Sequence, residues 1–341
     1  MLIEEPEHGI VPPAGLLRYF VICFVILQAW LYMTNYVNRY GRWTWYEYGL
    51  AVVNMAAAVY LSNTISTEWE RMAMPFNIAM LVMLLCVAAL YAIQISLKWT
   101  DTGAAKNSLL ILSIVCAVYI AALLAGLLGA QELLFPLDVA AVLCGAFLPF
   151  FIRGKFDASI ISFPHLVERF ELLTIVTFGE GVVGMAGYFD VTAFSTRPLL
   201  VFAILLTLFG AYVVQVHYLM DHHRTARSLR LMFSHYFIVI AINLVTVSLL
   251  LLENEETKRG FVCGLMLFAL AMFYIALLSD SAYYKSHYRL RRQDALVFAG
   301  SFALGAVVAV AGREADAAFL LGVLIITAAC FAWLLRKHQH R

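Results

Sequence analysis

Long apolar runs alternate with short charged segments along the whole chain, and this alternation is the dominant pattern in the sequence. Each run is about 18 to 25 residues long, the length that a helix needs to cross about 30 Å of hydrocarbon. The runs lack the alternating pattern of barrel strands, and a backbone in lipid must pair its own polar groups, so helices are predicted. Eleven spans are predicted, near residues 14–38, 46–66, 75–97, 108–130, 134–152, 163–189, 199–220, 231–252, 260–284, 293–311 and 317–335.

The composition supports the same fold class. Hydrophobic residues make up 63% of the chain and charged residues 13%, against about 45–50% and about 25% in soluble domains. We therefore predict an all-α, polytopic integral membrane helical bundle that forms one domain over residues 1–341. A short N-terminal segment, 1–13, precedes the first span, and a short cytoplasmic tail, 336–341, follows the last. The lipid bilayer is the predicted partner.

Several other classes of protein find no support in the sequence. The formal net charge is +1, which gives no indication of a nucleic-acid partner. The six cysteines are isolated within apolar runs and are predicted to be reduced core residues. Phosphate-binding, nucleophile-elbow and zinc signatures are not found. No cofactor, metal site or catalytic residue is therefore predicted, and nothing indicates an oligomeric state.

The distribution of basic residues predicts the orientation. Sixteen of the 23 Lys and Arg residues fall on one side of the predicted spans. Because short cytoplasmic loops collect basic residues, the C-terminus is predicted to be cytoplasmic and the N-terminus to lie outside. The first residues lack the basic and apolar regions of a signal peptide, so an outside start predicts a further helix upstream in the natural protein.

The sixth predicted span carries an unusual number of charges for a membrane helix. At 100° per residue, with His165 set to 0°, Glu168 falls at about 300°, Arg169 at about 40° and Glu180 at about 60°. These four residues share one polar stripe, which extends roughly 22 Å along the helix axis at 1.5 Å per residue. Glu171, at about 240°, lies off the stripe and either widens the polar face or meets another neighbour.

Such charges are costly in hydrocarbon. Each costs about 2.5 to 3.5 kcal/mol at the centre of a membrane helix, whereas an apolar residue returns only about 0.3 to 0.6 kcal/mol. The sixth span is therefore predicted to be a central helix, with its charges paired or facing a hydrated cavity. In one interpretation His165, Glu168, Arg169 and Glu180 line a pathway for an ion, a proton or a small polar solute. In the other they form a buried clamp that fixes helix register, with Glu180 bonded to a neighbouring hydroxyl.

Polar residues near the ends of other spans suggest a second feature. Asn38 and Arg39, at the end of the first span, and His235, near the start of the eighth, are predicted to lie near the cytoplasmic face. Together with His165 they are candidates for a cytoplasmic mouth of the pathway.

Four further polar residues have simpler interpretations. Asp138 and Asp280 lie near span ends, where partial hydration removes most of the cost of a charge, so they are predicted to be boundary residues. His217 and Asp221 have the i, i+4 spacing of residues that can share a metal. Without further ligands nearby, solvation at the membrane interface is the preferred interpretation of this pair.

Two stretches of the sequence resemble a known family. The sixth span contains "HLVERFELLTIVTFGE", which resembles the signature H-x-V-E-R-F-G-L-x-T-I-x-x-x-G-E of the bacterial low temperature requirement protein A family. The residues that match are His165, Glu168, Arg169, Thr174, Gly179 and Glu180. A second block, "WLYMTNYVNRYG", resembles the family's W-x-x-x-T-x-Y-x-N-R pattern. Its matching residues are Trp30, Thr34, Tyr36, Asn38 and Arg39, and "SHYFIVIAINL", with His235, resembles a third block more weakly.

The chain departs from the family pattern in two ways. Glu171 replaces the family's usual glycine, and the family's customary first span, with an F-F-D-L-V-F stretch, is absent. The absent span agrees with the outside start predicted from the basic residues, and two explanations are open: the natural protein begins further upstream, or this form lacks one helix. The resemblance implies a multi-pass protein of the bacterial cytoplasmic membrane, but it does not imply a mechanism.

Three functions are consistent with these features. The first is a transporter or channel for an ion or small polar solute, coupled to protons through carboxylates of the stripe. The second is a membrane-embedded enzyme acting on a lipid or isoprenoid, with Glu180 or His165 as general base and Arg169 holding an anionic head group. The third is a non-catalytic membrane scaffold in the envelope stress response.

Overall fold

A computed structural model describes residues 6–98, 102–152, 161–189, 195–223 and 228–339. Over these residues the chain forms eleven long α-helices, and its only strand-like contacts are two isolated bridges. The all-α, polytopic class predicted from the sequence is thereby confirmed. The helices are α1 (Pro13–Tyr40), α2 (Trp45–Thr64), α3 (Trp69–Leu97), α4 (Gly103–Leu127), α5 (Leu134–Phe151), α6 (Phe163–Gly184), α7 (Arg197–Val213), α8 (Leu229–Glu253), α9 (Arg259–Ser279), α10 (Arg292–Ala311) and α11 (Asp316–Gln339).

Ten helical segments in the described part of the chain are long and apolar enough to cross a membrane. The exception among the eleven helices is α2, which has 20 residues but carries polar side chains at both ends. Apolar side chains such as Val52, Met55 and Val59 nevertheless cover its exposed surface. The chain is therefore a multi-pass membrane protein in which α2 is the least apolar of the predicted spans.

The chain divides into two compact units, and unit 1 consists mainly of Val11–Ser162 with helices α1 to α5. In this unit α3 packs against α1, α2 and α4, and α5 packs against α1 and α4. The amide of Asn54 on α2 donates a hydrogen bond to the carbonyl oxygen of Met83 on α3, over 3.0 Å. The Tyr36 hydroxyl on α1 donates to Glu47 over 3.0 Å. Polar contacts thus fix the positions of α1 and α2 within this apolar unit.

Unit 2 contains helices α6 to α11 together with residues 6–10. Its most enclosed helix is α8, in which 78% of the most apolar window is buried, against 33% for α6. The prediction that α6 is the central helix is therefore wrong. The physical reason is that α8 has no Asp, Glu, Lys or Arg between Leu231 and Leu252, so that it can be surrounded by other helices, whereas α6 carries charge on one side.

A cluster of ion pairs joins four helices at one end of unit 2. Arg197, at the start of α7, contacts Asp316 at the start of α11 over 3.2 Å and Glu253 at the end of α8 over 3.6 Å. Arg259, at the start of α9, contacts Asp316 over 3.1 Å and donates to the carbonyl oxygen of Leu252 over 2.7 Å. Asp316 therefore connects two arginines from different helices.

The Asp316→Asn variant is expected to lower the stability of the protein, because both arginines lose their common anionic partner. The side chains are about a quarter exposed, so the cost is discounted to about 1–2 kcal/mol. The measurement is thermal unfolding of the purified protein in detergent. Glu314→Gln is the control, since Glu314 is exposed and contacts only its chain neighbour Arg313 among the ion pairs described. Equal melting temperatures in the two variants would contradict a structural role for this cluster.

Candidate functional site

Helix α6 presents two different faces. It packs against α8 and α7 within unit 2. Its buried residues are Phe163, Leu166, Val167, Phe170, Thr174, Thr177, Phe178 and Gly181. At 100° per residue these positions all lie on one side of the helix. The stripe predicted from the sequence lies on the other side.

The four residues predicted to line a pathway lie on the side of α6 that faces away from α8. His165 and Glu168 form a pair one turn apart, with 3.5 Å between Nδ1 and Oε2, and their side chains are 73% and 67% exposed. Glu180 is also exposed, and Arg169 is half-buried. The structure therefore keeps these residues on one exposed face, and their role in a pathway stays a prediction.

Glu171 lies at the edge between the two faces of α6. Its carboxylate is 2.5 Å from Nε2 of His217, and its side chain is only 15% exposed. His217 belongs to a π-helical turn, Val214–Leu219, which continues α7. The wider turn changes the side-chain register of the helix, as such turns often do at functional sites. Glu171 thus meets another neighbour, which was one of the two alternatives left open by its position in the sequence.

A series of polar side chains continues from this edge into the apolar interior of unit 2. The hydroxyl of Tyr212 on α7 is 3.1 Å from Nε2 of His235 on α8. Thr174, which is fully buried on α6, lies near the Tyr212 hydroxyl, and its own hydroxyl donates to the carbonyl oxygen of Phe170 over 2.8 Å. Both Tyr212 and His235 are buried, at 0% and 2% exposure. The ring of Phe170 lies over the imidazole, with 4.7 Å between centroids.

The hydrogen bonds of His235 determine its tautomer. Nδ1 is 2.8 Å from the carbonyl oxygen of Leu231, and a carbonyl oxygen can only accept. Nδ1 therefore carries the proton, and Nε2 accepts a hydrogen bond from the Tyr212 hydroxyl. This arrangement orients the imidazole between two helices.

The series ends at Asp280, immediately after α9. Ser234 donates to Oδ2 of Asp280 over 2.7 Å, and its hydroxyl is 3.3 Å from Nδ1 of His235. Asp280 is 0% exposed, and its Oδ2 atom is 3.9 Å from Nδ1 of His235. The prediction that Asp280 is a partly hydrated boundary residue is wrong: it does lie at a helix end, but the surrounding residues cover it.

The loop that follows Asp280 closes this end of unit 2. Tyr284 donates to the side-chain oxygen of Gln215 over 2.7 Å. Burial, together with the nearby Asp280 and Asp294, raises the pKa of Tyr284 well above its usual value, so its hydroxyl remains a donor at physiological pH. The backbone N–H of Asp221 donates to the carbonyl oxygen of Tyr283 over 2.8 Å. These contacts hold the end of α7 against the end of α9.

The residues predicted to form a cytoplasmic mouth have different environments. In unit 1, the Asn38 amide donates to the carbonyl oxygen of Ser162 over 2.9 Å and accepts from its N–H over 3.2 Å. Arg39 lies near Tyr91 in the same unit. In unit 2, His235 is buried among hydrogen-bond partners. The mouth itself stays a prediction.

The sequence did not predict the buried series, which consists of Tyr212, His235, Ser234 and Asp280. Ser234 is the chain neighbour of His235, but nothing in one sequence connects this pair to Tyr212 on α7 or to Asp280 after α9. The available signal was the presence of single polar residues within long apolar helices, since such residues are expected to pair with one another. Which of these residues pair with one another depends on how α7, α8 and α9 pack in the tertiary structure.

The family comparison agrees with the motifs. The chain matches the family described as Bacterial low temperature requirement A protein (LtrA) over residues 2–333. No curated protein and no solved structure matches the chain. The match covers nearly the whole sequence and includes both blocks from which the resemblance was first inferred. The chain therefore belongs to the bacterial low temperature requirement A (LtrA) family.

Proposed function

We propose that this protein moves an ion or small polar solute across the bacterial cytoplasmic membrane in a proton-linked manner, with α6 lining the route. The observation that carries the proposal is the series of polar side chains in unit 2. It extends from the buried Asp280 through Ser234, His235 and Tyr212 toward Glu171 on α6. Polar residues in this arrangement are characteristic of proton relays in membrane proteins.

The geometry of His235 suits a relay. When Nε2 accepts the proton of the Tyr212 hydroxyl, Nδ1 releases its own, different proton, and the Tyr212 oxygen is then reprotonated from the side of α6. The Ser234 hydroxyl then accepts from Nδ1 and donates its own proton to Oδ2 of Asp280. The 2.7 Å between the Ser234 hydroxyl and Oδ2 is a hydrogen-bond distance. The Nδ1 proton faces the carbonyl oxygen of Leu231, so the 3.3 Å between Nδ1 and the Ser234 hydroxyl must shorten before a transfer. At the other end of the series, Glu171 and His217 provide a partly exposed pair that can exchange protons with water.

The exposed face of α6 supports the second part of the proposal. A charge that faces hydrocarbon costs about 2.5 to 3.5 kcal/mol, and His165, Glu168 and Glu180 are all exposed side chains of a membrane-spanning segment. A hydrated route along this face removes most of that cost. In this proposal Glu171 lies between the hydrated face and the buried relay.

Flux measurements in proteoliposomes test the proposal. The purified protein is reconstituted with an internal pH-sensitive dye, and gradients of Na⁺, K⁺ or pH are imposed. We expect proton-linked flux in the wild type and a decrease of at least about tenfold in Glu171→Gln, because the amide cannot exchange protons. Glu180→Gln is measured in parallel and is expected to reduce flux if the predicted stripe lines the route.

Glu314→Gln is the control, because it removes an exposed carboxylate far along the chain from α6. It is expected to retain wild-type flux. Equal flux in Glu171→Gln and the wild type would contradict the relay. An absence of flux in a folded wild-type protein would contradict transport altogether and would favour the lipid-enzyme or scaffold alternatives.

A further inference from the structure

A second buried carboxylate, in unit 1, lacks the hydrogen-bond donors or the cation that a buried carboxylate normally has. Asp138 is the fifth residue of α5 and is 1% exposed, so the prediction that it is a hydrated boundary residue is also wrong. Its Oδ2 atom accepts one hydrogen bond, from the amide of Asn77 over 3.3 Å. Within the described residues, Oδ1 has no hydrogen-bond partner and no Lys or Arg forms an ion pair with this side chain. A buried carboxylate normally has several donors or a cation.

Asn77, on α3, faces Asp138, and its side-chain oxygen likewise lacks a hydrogen-bond donor. It is 0% exposed, and its amide nitrogen also donates to the carbonyl oxygen of Ala73 over 2.9 Å. These two bonds fix the orientation of the amide. Its oxygen, Oδ1, is buried and has no donor among the residues that the structure describes. Two side chains that are hydrogen-bonded to each other therefore each have a buried acceptor oxygen without a donor among the described residues.

A cavity lies at the adjacent end of unit 1, and Phe135, one turn before Asp138, is among its lining residues. The volume of the cavity is about 840 Å³. Phe135 contacts Trp69 edge to face in its wall, with 5.3 Å between ring centroids. Carboxylates outnumber arginines among its lining residues, which favours the entry of cations. The lining residues are Arg18, Thr67, Glu68, Trp69, Glu70, Arg71, Gln131, Glu132 and Phe135.

We propose that Asp138 and Asn77 bind a small monovalent metal cation, of which Na⁺ is the example, that enters from this cavity. Carboxylate and amide oxygens are the ligands that hard cations prefer. One carboxylate balances one positive charge, so a monovalent cation leaves the buried site neutral, whereas a divalent cation would leave a net charge in an apolar environment. The proposal concerns unit 1 and binding alone, so it goes beyond the proposed function and does not depend on it.

Binding of the cation competes with a proton. When the carboxyl group is protonated, one Na⁺ binds at the carboxylate and one H⁺ leaves to water, so charge is conserved. Apparent affinity for Na⁺ is therefore expected to fall as the pH is lowered. The titratable Tyr119 on α4 interacts electrostatically with Asp138, and Cys116 on α4 and Tyr32 on α1 lie near Tyr119.

The test measures binding of ²²Na⁺ and the melting temperature of the purified protein in detergent, with choline replacing Na⁺ at constant ionic strength. We expect saturable ²²Na⁺ binding and a melting temperature that rises with Na⁺ in the wild type. Asp138→Asn preserves the shape of the side chain and is expected to weaken Na⁺ binding at least about tenfold, which is about 1.4 kcal/mol. Glu314→Gln is the control and is expected to bind Na⁺ like the wild type.

Two results would overturn the proposal. One is a wild-type protein that is folded but neither binds ²²Na⁺ nor responds to Na⁺ in its melting temperature, which would leave Asp138 as a protonated partner of Asn77. The other is unchanged Na⁺ binding in Asp138→Asn, which would place the cation elsewhere. If Asp138→Asn does not fold, Asn77→Ser is measured instead, and unchanged Na⁺ binding in that variant would likewise overturn the proposal. None of these results alters the expectations for the relay in unit 2.

Discussion

The Tyr212→Phe variant is expected to lose proton-linked flux by at least about 100-fold, the scale on which a positioned proton-transfer group acts. The substitution removes a single oxygen atom and keeps the aromatic ring, which is fully buried in unit 2. That oxygen is the donor to Nε2 of His235. Without it, the imidazole has no hydroxyl through which a proton can arrive from the side of α6.

The cost of the same change to stability is expected to be small. Loss of one buried hydrogen bond, with Nε2 of His235 left unsatisfied, costs about 1–3 kcal/mol. The flux assay in proteoliposomes is therefore combined with thermal unfolding in detergent, so that a loss of transport activity can be distinguished from a loss of folded protein.

Tyr274→Phe is the matched control for this variant. Tyr274 is also buried in unit 2, and its hydroxyl lies 3.5 Å from the carbonyl oxygen of Thr327, outside the relay. We expect it to retain wild-type flux, because its hydroxyl takes no part in the relay. If Tyr212→Phe and Tyr274→Phe have equal flux, the buried series is a structural clamp and the relay is contradicted.

The Gly322→Ala variant is expected to cause the largest loss of stability in unit 2, about 3 kcal/mol or more. Gly322 lies where α11 crosses α10. An added Cβ atom would contact the backbone nitrogen of Ala309 and come within 2.7 Å of its Cα atom. Backbone atoms cannot move aside as a flexible side chain can, so the two helices must separate. Close approach of small residues is a main source of helix association in lipid.

A second glycine provides the control for this prediction. Gly300 is also on α10, but an added Cβ atom would meet nothing within 4 Å. Gly300→Ala is expected to raise stability by up to about 1 kcal/mol, because alanine has the higher helix propensity. The two alanine variants should therefore change the melting temperature in opposite directions. An unchanged or raised melting temperature in Gly322→Ala would contradict this close contact of α10 and α11.

How far the candidate site can be predicted from sequence depends on the kind of residue. The charges of α6 are conspicuous because they interrupt an apolar run, and the period of the helix places His165, Glu168, Arg169 and Glu180 on one stripe. The same period places Glu171 off that stripe. Its partner, His217, is 46 positions away in the chain, and a π-helical turn sets the direction of the His217 side chain. A local pattern cannot reveal a contact between residues so far apart in the chain.

The amino-acid sequence by itself determined the class of the protein. Runs of apolar residues long enough to cross hydrocarbon require helices, because a backbone in lipid must satisfy its own hydrogen bonds. The helices therefore follow from local composition, and the blocks around Asn38 and Glu180 were sufficient to indicate the family. Tertiary structure alone decided which helix is enclosed and which polar residues meet. Burial of Asp138 and Asp280 depends on neighbours brought from other helices, and the charge on one face of α6 leaves the enclosed position to α8.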